Sequence, residues 1–271
     1  MTTPLLTLVT DQARAILSLP ELARDAVAGG VEMVQVREPG LHARTLELLV
    51  LQVVEAVGVD RVAVNNAPLL AAELGLHLHL PERSLAETSI PAGVESLSCS
   101  VHGTESLGQV PLRIDFVVAG HLFPTATHPV RPPLGVEGLK AIVKASRRPV
   151  VAIGGITSDN AGEAISGGAA GVAVMSYVNS SPEPRLAARG LRDALEQAMH
   201  AQTTAVTVQV NGKSMSIDPG TVLTSFLEER NLHPRLVVVE RNQEIVAKSA
   251  YDSTILEEGD LLEIAHFVGG G

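Results

Sequence analysis

Eight short apolar runs punctuate the first two thirds of the chain, with longer stretches of helical spacing between them. The runs are Leu5–Thr10, Glu32–Arg37, Arg61–Asn65, Leu76–Leu80, Ser96–His102, Phe116–Gly120, Pro149–Gly155 and Gly171–Ser176. Most are rich in Val, Ile and Leu and are bounded by Gly, Pro or Asn, as strands buried on both faces of a parallel sheet are. Leu19–Ala28, Arg44–Ala56, Gly135–Ala145 and Asp159–Ser166 repeat apolar residues every three or four positions, the spacing of amphipathic helices. Arg185–Gln202 closes the region as a last helix. Eight strands in strict alternation with helices predict an α/β fold, a (β/α)₈ TIM barrel rather than a doubly wound sheet.

The pattern then changes. Ala205–Val210 and Ser214–Ile217 flank Asn211-Gly212, a pair suited to a two-residue hairpin because both residues tolerate positive φ. Thr221–Leu232 reads as a helix with Leu223, Phe226 and Leu227 on its apolar side, and Arg235–Glu240, Glu244–Ala247 and Leu261–Phe267 read as further strands. A ββαββ order ending on a strand describes a small α+β ubiquitin-like β-grasp domain. The polar, featureless stretch His200–Thr204 reads as a linker, which places a barrel in residues 1–200 and the small domain in 205–271. The last residues are Phe267-Val268-Gly269-Gly270-Gly271. Without Cβ atoms such a tail can thread a narrow enzyme slot. Taken alone, it reads more readily as a frayed end.

Composition narrows the class. Hydrophobic residues make up 45% of the chain but aromatics only 2%, with no Trp, so the core is aliphatic. A formal net charge of −10 argues against the basic face that nucleic acid or an anionic membrane requires. A single cysteine, Cys99, excludes an internal disulfide and a cysteine-rich metal cluster. With no signal-peptide pattern and no apolar run approaching ~18 residues, the expectation is a soluble cytoplasmic protein.

In a barrel of this type chemistry gathers at the C-terminal ends of the strands. Gly154 and Gly155 end the seventh run, and Met175 and Ser176 end the eighth one strand later, where backbone N–H groups and a hydroxyl can cradle a phosphate. Two glycines alone would read as a tight turn. His121 ends the sixth run, before a loop able to fold over a ligand, and a neutral imidazole suits moving a proton between carbon atoms. Arg37 can clamp a carboxylate or phosphate; its plainer reading is a salt bridge to Glu38. His77 and His79 share one strand face, but no third metal ligand is evident. Cys99 has no base partner and reads as a packed thiol.

Four strings resemble the thiamine phosphate synthase/TenI superfamily: Gly29-Gly30-Val31-Glu32-Met33-Val34-Gln35-Val36-Arg37-Glu38, Gly120-His121-Leu122-Phe123-Pro124-Thr125, Val151-Ala152-Ile153-Gly154-Gly155-Ile156 and Gly171-Val172-Ala173-Val174-Met175-Ser176. The synthases of that superfamily carry acidic residues after the third and fourth strands to hold Mg²⁺. This chain has Asn65-Asn66 and Pro81-Glu82 there. It also has Pro39 where the synthases have Lys, and Gly120-His121 where they have Gly-Pro, as the thiazole tautomerase (TenI) branch does. That resemblance implies a metal-free, cofactor-free aromatisation of a thiazole carboxylate phosphate with His121 as base and acid. It implies phosphate binding by Gly154, Gly155, Met175 and Ser176, and contacts to the rest of the substrate from Arg37, Asn65, Ser100 and Thr125.

Residues 205–271 resemble the thiamine sulfur carrier ThiS through Val210-Asn211-Gly212-Lys213, Val239-Glu240-Arg241-Asn242-Gln243-Glu244-Ile245-Val246 and the terminal His266-Phe267-Val268-Gly269-Gly270-Gly271. The resemblance implies a thiocarboxylate on Gly271, an E1-like adenylyltransferase and thiazole synthase as partners, and Phe226 or Phe267 as docking or core residues. Two other readings stay open: a Mg²⁺-dependent thiamine phosphate synthase that needs Glu82, and an inactive barrel serving as scaffold for the carrier. Self-association into a homo-oligomer also stays open.

Overall fold

The computed structural model describes residues 3–85, 89–125 and 132–266. The chain divides into two compact units, Met1–Met199 and His200–Gly271. In the first, β1 (Leu5–Val9), β2 (Met33–Val36), β3 (Val62–Asn65), β4 (His77–Leu80), β5 (Leu97–Val101), β6 (Phe116–Gly120), β7 (Val150–Ile153) and β8 (Gly171–Val174) form a closed barrel in chain order. Every pair is parallel, and β8 returns to β1 with Leu5 opposite Gly171. That seam needs glycine, because a Cβ on Gly171 would lie 2.2 Å from the Leu5 carbonyl oxygen.

The surrounding helices are α1 (Leu19–Ala28), α2 (Ala43–Val57), α3 (Pro68–Leu74), α4 (Gly135–Ala145), α5 (Ala161–Ser166), α6 (Ser176–Asn179) and α7 (Pro184–Thr204). The predicted strict alternation fails after β4 and β5. There the described residues form only tight 3₁₀ turns, Glu82–Ser84 and Thr104–Gln109. Pro81, Pro91, Gly93, Gly103, Gly108 and Pro111 break up those connections, each unable to extend an α-helix or costly within one. The predicted linker is also corrected, since α7 runs on through His200–Thr204. That stretch has neither Gly nor Pro to stop a helix.

Alternation along the strands sorts the core into two layers. Leu6, Leu8, Leu78 and Leu80 face outward into the main apolar cluster between barrel and helices. The barrel interior is divided. On one side Val9, Val118, Val151 and Ala173 pack with Phe116 and Ile153. On the β2–β5 side the interior positions are polar: Gln35, Asn65, His77, His79, Ser98 and Ser100. At the lower end of the barrel Arg192 of α7, 7% exposed, donates to the carbonyls of Pro4 (2.8 Å) and Gly30 (2.8 Å) and pairs with Glu32 at 2.8 Å.

The second unit contains β9 (Val206–Val210), β10 (Lys213–Ile217), α8 (Leu223–Glu228), β11 (Val237–Arg241), β12 (Glu244–Ile245) and β13 (Leu261–His266). The sheet order is β10-β9-β13-β11-β12, with β13 parallel to β9 and the other pairs antiparallel. Asn211 (φ 48) and Gly212 (φ 76) make the β9–β10 turn as expected. The helix is shorter than predicted. Asn231 takes φ 57, and the N–H groups of Asn231 and Leu232 close back onto the carbonyls of Glu228 and Leu227, an αL stop that ends the helix. Phe226 is fully buried among Val208, Val237, Val239 and Tyr251, which makes it core rather than a docking residue. Phe267 and Gly271 lie outside the described residues. No helix among the described residues is long and apolar enough to cross a membrane.

Phe226→Ala leaves a cavity in this small core, and such changes cost about 3–5 kcal/mol. Thermal unfolding followed by the near-ultraviolet signal of Tyr251, in a Tyr177→Phe background, is expected to show a markedly lowered midpoint for the second unit. An unchanged midpoint would remove Phe226 from the core.

Candidate active site

The mouth of the barrel is organised by a close contact between the ends of β6 and β7. His121 follows β6 directly and is 6% exposed. Leu122 N–H donates to the Ile153 carbonyl (2.8 Å) and Phe123 N–H to the Gly154 carbonyl (3.0 Å), so the loop after β6 is stitched to the end of β7. A Cβ on Gly154 would lie 2.3 Å from the His121 Cβ, and one on Gly155 2.6 Å from the Pro124 carbonyl oxygen. Both glycines have positive φ, +101° and +67°. The pair makes room for the histidine and for the loop that follows it.

The cradle elements stand in register. Ile153 pairs with Ala173, so Gly155 and Met175 lie two residues further along adjacent strands. The Gly155 N–H has no hydrogen-bond partner among the described residues, and neither does the Ser176 hydroxyl. Asn160 braces the first loop by donating to the Gly155 carbonyl (3.0 Å) and accepting from Thr157 N–H (2.8 Å). Asn179 braces the second, donating to the carbonyls of Val9 (2.9 Å) and Met175 (2.8 Å) and accepting from Asp11 N–H (3.0 Å). Asn160 did not stand out in the sequence, although its place three residues after Thr157 is the spacing at which a side chain reaches back to the N–H that opens a helix.

Arg37 is exposed at the end of β2, and no carboxylate lies within ion-pair distance of it among the described residues. The expected pair with Glu38 does not form. Glu38 instead accepts from the Thr10 hydroxyl (2.6 Å) and from Gln12 N–H (3.1 Å). The Arg37 guanidinium is thus an unspent cation at the mouth. Asn65 accepts from the Gln35 side chain (3.2 Å), and Ser100 bonds His79 Nε2 (2.9 Å). Thr125 is half-buried in the loop after His121.

Three further residues hold the peptide that precedes His121. The Ser106 hydroxyl donates to Glu82 Oε1 (2.5 Å), Glu82 Oε2 stands 3.6 Å from His102 Nε2, and His102 Nδ1–H donates to the Gly120 carbonyl (2.7 Å). Glu82 is therefore committed to holding the peptide that leads into His121. This bears on Mg²⁺. The position after Asn65 is an amide, Asn66, whose N–H donates to the His79 carbonyl (2.8 Å), and Glu82 is engaged elsewhere. No group of three His, Cys, Asp or Glu that could hold a metal occurs among the described residues. The donor set does not fit a hard divalent cation, which takes several oxygen ligands with carboxylates among them.

Burial sets the charge state of the interior. His77 is held down to about 4 by desolvation, partly offset by Asp115. His79 is held down to about 3 by desolvation, with His77 and Arg37 adding to it. Both rings are neutral near pH 7. Burial, helped by Glu82, pushes the Cys99 thiol up to about 12, so it is inert packing.

Known proteins place this architecture. The sequence profile described as thiamine monophosphate synthase (TMP-TENI) matches residues 6–178, and the ThiS family profile matches 208–271. Thiamine-phosphate synthase of Corynebacterium efficiens is 36% identical over 185 residues, which cover 63% of this chain and 86% of that protein. A putative thiamine-phosphate synthase of Geobacter sulfurreducens is 34% identical over 201 residues, 68% of this chain and 91% of that one. The solved thiamine phosphate pyrophosphorylase from Pyrococcus furiosus superposes with a TM-score of 0.60 at 27% identity, covering 73% of this chain and 98% of its own. A closed parallel barrel followed by a β-grasp domain, matched by these two families in turn, is a two-domain thiamine-biosynthesis protein. The chain belongs to the thiamine monophosphate synthase (TMP-TENI) family and carries a ThiS family domain at its C-terminal end.

Two outcomes follow from this geometry. Gly154→Ala forces His121 away and is expected to remove turnover while the far-ultraviolet circular dichroism stays that of a folded barrel; wild-type turnover in a folded variant would refute the contact. Below pH 6.5 the unfolded chain protonates His77 and His79 while the folded barrel resists until about pH 4 and about pH 3. Their contribution to stability is therefore complete above pH 6.5 and declines as pH falls, approaching about 1.4 kcal/mol per pH unit for each ring. Urea unfolding between pH 6.5 and 5 is expected to show this slope and to lose part of it in His77→Gln; an identical slope in the variant would contradict it.

Proposed function

We propose that the barrel aromatises a thiazole carboxylate phosphate by a proton shift. The substrate phosphate binds the Gly155 N–H and the Ser176 hydroxyl in the loops after β7 and β8, and Arg37 balances the carboxylate. His121 removes the proton at ring carbon C2. The C–H electrons move into the ring, the exocyclic double bond becomes a ring double bond, and the imidazolium returns the proton to the exocyclic carbon. One group serves both steps, and the reaction is a net isomerisation. The observation that carries this reading is His121 itself, wedged between the end of β6 and Gly154 beside the phosphate loops.

The names of the curated relatives favour a second reading, a thiamine-phosphate synthase joining hydroxymethylpyrimidine diphosphate to thiazole phosphate with Mg²⁺. The commitment of Glu82 to His102 and Ser106 speaks against it. The small domain is read as a sulfur carrier whose Gly271 is adenylated by an E1-like enzyme, converted to a thiocarboxylate and delivered to thiazole synthase.

With purified full-length protein, His121→Ala is expected to lower tautomerisation by about 10²–10⁴-fold, the usual weight of a general acid–base, with phosphate affinity unchanged and no response to added Mg²⁺. Mg²⁺-dependent coupling that survives in His121→Ala but fails in Glu82→Gln would replace the tautomerase reading by the synthase. Deleting Gly270 and Gly271 is expected to leave barrel turnover intact and to abolish the mass gain of sulfur loading; a truncated chain that still gains sulfur would end the carrier reading.

A further inference from the structure

Five polar side chains cross the barrel interior as one hydrogen-bonded chain. Ser96 Oγ meets His77 Nδ1, and His77 Nε2 meets Ser98 Oγ at 2.7 Å. Ser98 Oγ meets His79 Nδ1 at 2.8 Å, and His79 Nε2 meets Ser100 Oγ at 2.9 Å. The spacing is strict: alternate residues of β4 face alternate residues on and just before β5, with His79 opposite Ser98. The middle is buried, His77 at 6%, His79 at 4% and Ser98 at 1%, while both terminal serines are half-exposed. The chain thus joins solvent at the lower end of the barrel to the mouth. The Phe116 ring stacks on His77 with centroids 5.2 Å apart and fixes its plane.

Filling the interior does not require this. The opposite wall of the same barrel is mostly Val, Ile and Ala, and burying the three middle polar groups is costly unless each is satisfied. The donor inventory gives the chain a direction. A neutral imidazole has one N–H and one acceptor nitrogen, and a serine has one O–H. If every bond points upward, the Ser100 hydroxyl hydrogen is offered to the mouth; if every bond points downward, Ser100 offers only lone pairs. Asp115 below and Arg37 above are the charged groups that act on the two rings.

We propose that the Ser96–His77–Ser98–His79–Ser100 chain is a proton relay that answers negative charge developing on the ligand in the mouth. As charge accumulates on a ligand oxygen, the Ser100 proton moves toward it. Ser100 takes a proton from His79 Nε2, His79 Nδ1 takes one from Ser98, Ser98 takes one from His77 Nε2, and His77 Nδ1 takes one from Ser96, which is refilled by water. When the ligand's charge is discharged, each step reverses and the chain ends as it began. Its use in turnover rests on the proton-shift reading above; its existence does not.

Nitrogen-15 spectra of the full-length protein test the chain without substrate. Both rings are expected to be neutral and in the same tautomer. Unlike tautomers would make Ser98 an acceptor from both rings or leave a nitrogen unserved, and would overturn the relay. In turnover of the thiazole substrate, the solvent deuterium effect on kcat is expected to bow with deuterium fraction, as several protons move together. Ser98→Ala is expected to straighten it and lower kcat roughly ten- to a hundredfold with KM unchanged, and Ser98→Thr to restore both. A straight plot for the unaltered enzyme overturns the relay's use. If no thiazole turnover is found, the functional reading fails, and the tautomers alone decide the relay.

Discussion

The mouth of this barrel depends on how closely two strand ends approach. The backbone after β6 lies so near the end of β7 that no side chain fits at Gly154. Barrel strands sit at a fixed hydrogen-bonding distance, but the loops beyond them need not. Here the main-chain bonds from Leu122 and Phe123 extend that spacing past the ends of the strands. The backbone fixes where His121 leaves the barrel, and the same turn carries Gly154 and Gly155 at positive φ. The positions of His121 and of the loop after β7 are thus two products of one close approach.

The interior is asymmetric in the same sense. The β6–β8 and β1 wall is largely apolar, with Thr7 as its buried hydroxyl, and the β2–β5 wall is largely polar. Apolar burial supplies most of a fold's cohesion, so the polar wall has to be satisfied from within, and the alternating His and Ser residues do this without a charged group. The price is sensitivity to acid, since neutral rings are tolerated there and imidazolium is not. At the ends of β4 and β5, Ser106, Glu82 and His102 hold the Gly120 carbonyl and with it the approach to His121.

The eight strands were legible because branched aliphatic runs at regular spacing leave few other readings, and the hairpin at Asn211-Gly212 because positive φ is rarely asked of other residues. Helix ends and absences were harder. The missing helices after β4 and β5 are explained by scattered Pro and Gly that look unremarkable one at a time, and the helical stretch through His200–Thr204 was hidden by its polarity, although polarity does not oppose a helix. Gly154, Gly155 and His121 could be picked out along the chain, but not the contact between them. Arg37 and Glu38 are sequence neighbours that do not pair, because Thr10 and Gln12 reach Glu38 first. The set Ser106, Glu82 and His102 had no motif to betray it, being assembled from two separate strand ends.

Arg192 gives the order of assembly a direction. The lower ends of β1 and β2 present the carbonyls of Pro4 and Gly30 and the carboxylate of Glu32, and all three receive their donor from a residue on α7. During synthesis those groups wait until the chain has grown past position 192, and the seam between Leu5 and Gly171 closes in the same late interval. The first strand made is among the last to be locked. For most of its emergence the nascent barrel is therefore an open sheet with an unguarded edge, exposed to the mispairing that free strand edges invite.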